Sequence, residues 1–309
     1  MEPAPELSVL IVNWNTRELA LKCLEALPPG IGDVDYEVVV VDNGSVDDSA
    51  DALSRRPDIT LITNGENLGF AAAVNQAYRR SRGDLVLLLN SDVELTEGAV
   101  EKLVRFLRAT PAAAGAAPLY VDPDGTPQPF HFRFPTFATT LANGSSLFRL
   151  LLPGSERRLR EYRMLDDDFS KPRPVPQPSA SCLLLRRSCL PREEVFDERY
   201  PIFFNDVQLA RWLASRARAL WVVPEAVVAH EAHASTSRLG GRGRRQYFGS
   251  QIRMLEETET PLKVSVFKLV MWLQNFALLA LRRPGALSPN EMRRALSGDP
   301  GPLPTRPSP

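Results

Sequence analysis

Four apolar runs mark the first part of the chain: LSVLIVN at 7–13, YEVVVVD at 36–42, ITLIT at 59–63 and LVLLLN at 85–90. Short and without polar alternation, each reads as a strand covered on both faces. Between them the apolar spacing becomes helical. TRELALKCLEAL (16–27) puts Leu19, Cys23, Leu24 and Leu27 on one face. FAAAVNQAYRRSRG (70–83) does the same with Phe70, Val74, Ala77 and Tyr78, and Gly83 reads as its C-terminal stop. Val100, Leu103, Val104 and Leu107 form the stripe of a further helix over 97–109. Strands alternating with helices predict right-handed crossovers and a parallel sheet, an α/β fold.

The pattern weakens over 122–178, which holds many prolines, the acidic run Asp166-Asp167-Asp168 and PRPVPQP at 172–178. Long loops with one short helix near 145–152 are expected there. Order returns with SASCLLLRR (179–187), a helix from Asp206 to about Ser215, and ALWVVP (219–224). LKVSVFKLVMWLQNFALLALRR (262–283) reads as another helix, with Lys268 the only charge between Lys263 and Arg282. That length is near the lower limit for a membrane span, and Lys268, Gln274 and Asn275 argue against one. Lys268 and Asn275 are expected to share a face, with Phe267, Val270, Met271, Leu278 and Leu281 largely elsewhere. Such a helix lies on an anionic membrane surface through basic ends, or packs on protein; the pattern serves both. The Pro-rich tail from Pro300 is expected to be disordered.

Composition narrows the function. The 309 residues carry 37 Lys+Arg against 37 Asp+Glu, so no global field draws nucleic acid. Cys23, Cys182 and Cys189 form no CxxC pair and cannot all pair with one another, which suggests a reducing compartment and no zinc ribbon. MEPAPELSVL lacks the basic start and apolar run of a signal peptide, so a cytoplasmic protein is expected and the sequons at Asn43 and Asn143 carry little weight.

Chemistry gathers where the early strands end: Asn13-Trp14-Asn15-Thr16, Asp42-Asn43-Gly44-Ser45, Asn90-Ser91-Asp92, and the loop Asn64-Gly65-Glu66-Asn67-Leu68-Gly69 before the third helix. One such end is a turn. Four along the edge of a parallel sheet describe a lined crevice. Helix capping by Asn15 and Ser45 explains part of the pattern, but not Asp42 or Asp92. GxGxxG after the first strand and GxxxxGK[ST] are both missing. A bound pyrophosphate would then need a cation, and Asp92 is a hard oxygen donor suited to magnesium or manganese.

VNWNTRE, VVVVDNGSVDDS, NLGFAAAVNQ and LLLNSDV, followed by FDERYPIFFNDVQLARWL and WVVPEAVVAHEAHAST, resemble glycosyltransferase family 2 over about residues 7–255, closest to its bacterial rhamnosyltransferase-like branch. The resemblance implies a GT-A fold, a Rossmann-like, mostly parallel sheet flanked by helices. It divides the chain into a domain over 1–258, with a nucleotide-sugar half at about 7–121 and an acceptor half at about 122–258. A C-terminal helical extension (259–298) and a disordered tail (299–309) follow. It also implies roles. Asp42 would read the nucleotide base, with Asn13 and Asn15 in the same pocket. Asn67 and Asn75 would hold the sugar-nucleotide. Asn90-Ser91-Asp92 matches a DxD element whose first Asp is Asn, and His230 would lie near the phosphates as a further metal ligand. Asp206 would be the base of a single inverting displacement. The donor would be a nucleoside diphosphate sugar, rhamnose on deoxythymidine diphosphate being the one pointed to. The acceptor would be a polysaccharide or lipid-linked saccharide, met at the inner face of the cell membrane.

This sequence departs from the family pattern at the base. Glu-Asp-x-Asp-Leu is replaced by Asn205-Asp206-Val207-Gln208-Leu209, so Asp206 feels less like-charge repulsion. A non-catalytic nucleotide-sugar binder, with Asp206 as a helix cap, is therefore the alternative. A sugar nucleotidyltransferase is a second, although Asn13-Trp14-Asn15-Thr16-Arg17-Glu18 holds no glycine-rich basic loop. His230-Glu231-Ala232-His233 is not HExxH, which leaves His233 structural or superficial, and His131 is assigned nothing. Arg238, Arg242, Arg244 and Arg245 lie in SRLGGRGRRQ, a loop that either closes over a pyrophosphate with guanidinium forks or is simply solvated.

Overall fold

The structure, a computed structural model, describes residues 3–145, 148–149, 153–231, 240–281, 286–299 and 303, with the side chains of 240–242 outside that description. Strands β1 (Leu7–Asn13), β2 (Tyr36–Asp42), β3 (Thr60–Thr63) and β4 (Leu85–Asn90) lie in the order β3-β2-β1-β4, all parallel. Asn13 pairs with Asp42, and Val12 pairs with Asn90, so the polar strand ends converge on one edge.

The chain then adds β5 (Val93–Leu95), β6 (Ala113–Val121) and the short β7 (Pro127–Gln128), β8 (His131–Phe132), β9 (Arg173–Val175) and β10 (Gln177–Pro178). β11 (Cys182–Arg186) and the long β12 (Ala219–His230) complete the set. β11 runs antiparallel to β4, with Cys182 opposite Leu89. It starts at the polar edge, where Asn90 N donates to Ser181 O at 2.8 Å, and so it must run back along the sheet. The parallel expectation thus holds for the first four strands, and the sheet is mixed beyond them, in the order β4-β11-β6-β12-β5. β12 brings His230 beside Val93, directly after Asp92.

Helices α1 (Arg17–Glu25), α2 (Leu27–Ile31), α3 (Ser49–Ser54), α4 (Phe70–Arg80) and α5 (Ala99–Ala109) cover the sheet. The single helix expected over 16–27 breaks at Ala26, because Pro28 and Pro29 cannot donate within a continuing helix. α4 stops at Ser81, not at Gly83. Gly83 instead allows a close approach: a Cβ there would lie 2.7 Å from the backbone nitrogen of Ser8. Asn15 and Ser45 do not cap either. Asn15, at φ 55°, accepts from Val46 N at 2.7 Å, and Ser45 Oγ accepts from Asn15 N at 2.9 Å, lacing two loops together.

The proline-rich stretch is more ordered than its pattern predicts. It contains α6 (Phe137–Gly144), started by a Thr136–Thr139 capping box, and α7 (Ser155–Tyr162). The helix expected near 145–152 falls largely outside the described residues. Arginines pin the acidic run: Asp167 meets Arg133 at 3.0 Å and Arg173 at 2.9 Å, and Asp166 meets Arg160.

α8 (Asn205–Ala214), α9 (Gly240–Thr258), α10 (Pro261–Ala280) and α11 (Pro289–Leu296) complete the chain. Two apolar clusters sandwich the sheet, one including Val9, Ile11 and Leu103, the other Leu10, Val41 and Val74. A third joins Ile252, Phe267 and Met271 of the C-terminal helices to Leu141, Tyr200 and Val207. In α10, Phe267, Val270 and Met271 are buried on the same side as Asn275, which exchanges two hydrogen bonds with Leu287, while Lys268 reaches Glu256 at 2.7 Å. The expected polar face is therefore the protein-facing one. Apolar side chains, among them Leu262, Leu269, Trp272, Leu273, Phe276 and Leu281, stand outward. Of the tail, Asp299 and Leu303 are described; the rest lies outside the description.

Candidate active site

A cavity of about 310 Å³ opens at the polar edge of the sheet. Its wall combines Val12, Trp14, Asn43, Asn67, Phe70 and Asn90-Ser91-Asp92 from the first half with Phe130, Ser179-Ala180-Ser181, 202–206 and His230 from the second. The volume suits a small-molecule ligand.

At one side stand Asn90, Asp92 and His230. Asn90 Nδ2 donates to Ser181 Oγ at 3.3 Å, whereas its Oδ1 is buried without a partner. Asp92 Oδ1 lies 3.5 Å from His230 Nε2, too long for a good hydrogen bond, and it too has no hydrogen-bond partner, nor does His230 Nδ1. The backbone is held firmly, with Glu231 N donating to Asp92 O at 2.9 Å and the His230 ring edge-on to Phe130 at 4.9 Å. Buried polar atoms left unpaired are costly, and two hard oxygens beside an imidazole fit a divalent cation. Among the described residues no cluster of three His, Cys, Asp or Glu occurs, so ligand oxygens would have to complete the shell.

Asp206 stands on the wall in the first turn of α8. Its Oδ1 accepts from Val207 N at 2.8 Å and its Oδ2 from Gln177 Nε2 at 3.4 Å. Burial holds the carboxyl above its ordinary range, and the two hydrogen bonds oppose that pull. A capping carboxylate would sit at the N-cap and reach the second or third helical amide. Here Phe204 holds the N-cap place, and Asp206, two residues into the helix, satisfies the third helical amide, Val207 N, through Oδ1, so the same carboxylate serves the helix start and stands on the cavity wall.

Elsewhere on the wall, Asn43 ties two loops together. Its Nδ2 donates to Asn67 Oδ1 at 3.0 Å, and its Oδ1 accepts from Asn64 at 3.0 Å and Leu68 N at 3.1 Å. Asn13, Asn15 and Asp42 lie beneath this wall, not on it. Asn13 Nδ2 donates to Asp42 Oδ1 at 2.8 Å, Ser45 N donates to Asp42 Oδ2 at 3.1 Å, and all three residues are at most 2% exposed. Asn75 is further away. Its amide meets Phe196 O at 2.8 Å and Glu198 at 3.1 Å, and its Oδ1 accepts from Val195 N at 2.8 Å and Phe196 N at 3.0 Å. It ties α4 to the 195–198 loop, and both ends of its side chain are consumed.

The arginine-rich segment from Gly240 is helix, not loop. Arg244 lies over the Phe248 ring at 5.2 Å, Arg245 is buried, and among the described residues the cavity wall includes neither. Arg238 and His233 lie outside the described residues, as does the Arg242 side chain. His131 is buried against Tyr120 and Phe169, which pushes its pKa down to about 4, and it is not on the wall. Trp14, whose buried indole nitrogen has no partner, and Asn43 sit in strand-end motifs, yet only the structure separates wall from support. Gln177 lies in the proline-rich stretch, where no motif announces it.

Comparison with known proteins gives this cavity its context. The family model for glycosyl transferase family 2 matches residues 8–190, more than half of the chain. The N-acetylglucosaminyl-diphospho-decaprenol L-rhamnosyltransferase of Mycobacterium tuberculosis H37Rv is 33% identical over 215 residues, covering 65% of this chain and 68% of that protein. Among solved structures, the mannosyltransferase PcManGT from Pyrobaculum calidifontis, in complex with GDP-Man and Mn2+, matches with a TM-score of 0.54 at 18% identity, over 96% of this chain and 80% of its own. S. aureus TarS (1–349) matches at 0.52 and 13% identity, over 94% and 81%. These structural likenesses are of fold, the GT-A arrangement of a mixed, curled sheet flanked by helices. With the family model across more than half its length and a relative a third identical, the chain belongs to glycosyltransferase family 2.

Proposed function

We propose that the protein transfers a hexosyl group, with inversion, from a nucleoside diphosphate sugar to a lipid-linked saccharide. The observation that carries this reading is a single cavity walled by Asp206 on one part and by Asn90, Asp92 and His230 on another. Asp206 accepts the proton of an acceptor hydroxyl. The freed oxygen attacks the anomeric carbon, and the diphosphate leaves from the opposite face of the sugar. Asn90, Asp92 and His230 would hold magnesium or manganese, which when bound supplies positive charge to the leaving diphosphate. The Mn2+ in the PcManGT complex supports that choice. Trp14, Asn43 and Asn67 would line the place of the nucleotide, with Asn13, Asn15 and Asp42 holding that wall from beneath.

The name of the mycobacterial relative supports an L-rhamnosyl donor and a polyprenyl diphosphate acceptor. A lipid-linked acceptor places the enzyme at a membrane surface, and the outward face of α10 suits one. Residues 259–298 hold Lys263, Lys268, Arg282, Arg283, Arg293 and Arg294 against Glu259 and Glu291, in a chain whose charges balance overall. We assign that face to anionic lipid at the cytoplasmic side. The test of the activity is release of dTDP from dTDP-L-rhamnose, with Mg2+, with Mn2+ and with chelator. A non-catalytic binder would gain thermal stability from the nucleotide sugar and release nothing under any of the three conditions.

A further inference from the structure

We infer that Glu257, in the last turn of α9 and beyond the segment matched by the family model, is a positioning residue for Asp206 because it grips the chain on both sides of it. Glu257 Oε2 accepts from Tyr200 Oη at 2.9 Å and from Gln208 Nε2 at 2.8 Å. Its Oε1 lies 3.1 Å from the Arg199 guanidinium. Gln208 Nε2 also donates to Tyr200 Oη at 2.9 Å, which closes a triangle. Arg199 and Tyr200 precede Asp206, and Gln208 follows it in α8. A carboxylate only accepts, so the amide orientation of Gln208 is fixed by its partner. Glutamate at 208 would set two carboxylates against each other.

The held segment is one that needs holding. Phe204 sits at φ 70°, a left-handed conformation that a bulky side chain rarely adopts unless its surroundings over-determine it. Asn205 locks the turn from inside: its Nδ2 donates to Ile202 O at 3.0 Å, and its Oδ1 accepts from Asp206 N at 2.8 Å. Each of those groups can play one role only, so this amide is also fixed in direction. Glu257 locks the same turn from outside. Its side chain is 31% exposed, so the ion pair itself contributes little to global stability, and its effect falls on where Asp206 points.

The inference rests on Asp206 being the base, and the test keeps the two apart. The full chain, Glu257→Gln, Gln208→Glu, the double variant Gln208→Glu/Glu257→Gln, and Asp206→Asn are compared on dTDP-L-rhamnose turnover, donor KM, thermal midpoint and amide hydrogen exchange over 200–209. Each single change at 208 or 257 should lower kcat about tenfold, with donor KM within about twofold, and speed exchange over 200–209. The double variant exchanges donor for acceptor and should recover both kcat and protection. Wild-type kcat and exchange in Glu257→Gln, or a double variant no better than the worse single, overturns the inference. If Asp206→Asn is inactive while Glu257→Gln is normal, only the positioning role fails. If Asp206→Asn turns over normally, the base assignment fails, and the exchange data still judge the grip.

Discussion

Asp206 sits under two opposed influences. Burial favours its neutral form, and the hydrogen bonds from Val207 N and Gln177 favour the charged one; burial prevails, so its pKa lies above the ordinary 3.8. A base must be ionised, so turnover should fall as pH drops through that raised value. Gln177→Leu, which removes one donor to the carboxylate, should move the acid limb of kcat further upward; an unmoved limb in a pH–rate profile would show that Gln177 does not serve Asp206. The same shift has a sign for stability. The folded state keeps the proton to higher pH than the unfolded chain, so this contribution is present at low pH and lost as pH rises through the raised value. Asp206→Asn should therefore raise the thermal midpoint at pH 7 while lowering turnover by at least ~100-fold. A variant that loses turnover and also unfolds earlier would mark Asp206 as a structural group. For the cation side, Asp92→Ala should abolish Mn2+ binding in the presence of dTDP, read by calorimetry, and transfer with it. Retained binding would remove Asp92 from the ligand set.

Among the elements, β1, β2 and β4 end where their apolar runs end, because a strand covered on both faces carries few polar residues before its last position. That rule made the crevice legible from Asn13, Asp42 and Asn90. It could not give the direction of β11, which is set by the side from which the chain returns, nor the order in 122–181, which rests on Arg133, Arg160 and Arg173 meeting aspartates and on a capping box. Nor could it say which polar side chains face the cavity. Asn75 shows the difference: its position in the motif is as expected, but its amide is spent on the backbone of 195–196 and on Glu198. Asn75→Leu would strand two buried N–H groups and a carbonyl, at a cost of about 2–4 kcal/mol. Denaturant unfolding measures this directly. Unchanged stability with a raised donor KM would instead return Asn75 to the ligand.

At the scale of the whole molecule, the proposed encounter with a lipid-linked acceptor turns on the two faces of α10. The helix passes for a membrane span by length and composition. Its inner face is committed elsewhere: Phe267 is fully buried, Asn275 is bonded twice to Leu287, and Lys268 reaches Glu256. Leaving to span a bilayer would break those contacts and open the core shared with Tyr200 and Val207. Under the proposed function the helix would instead lie along a membrane surface, with Leu269, Leu273 and Phe276 outward and basic residues at its ends. Truncation at Thr260 is a poor probe, because it would remove Phe267 and Met271 from that core. Leu269→Glu/Leu273→Glu/Phe276→Glu changes only the outer face and should leave the thermal midpoint close to that of the parent. The parent protein should float with vesicles containing phosphatidylglycerol at low salt, less so at high salt as screening weakens the basic contribution, and little with neutral vesicles. The triple variant should stay with the soluble fraction throughout. If the parent also stays soluble and elutes at twice its 34.3 kDa mass, the outer face joins a second copy of the chain and not lipid.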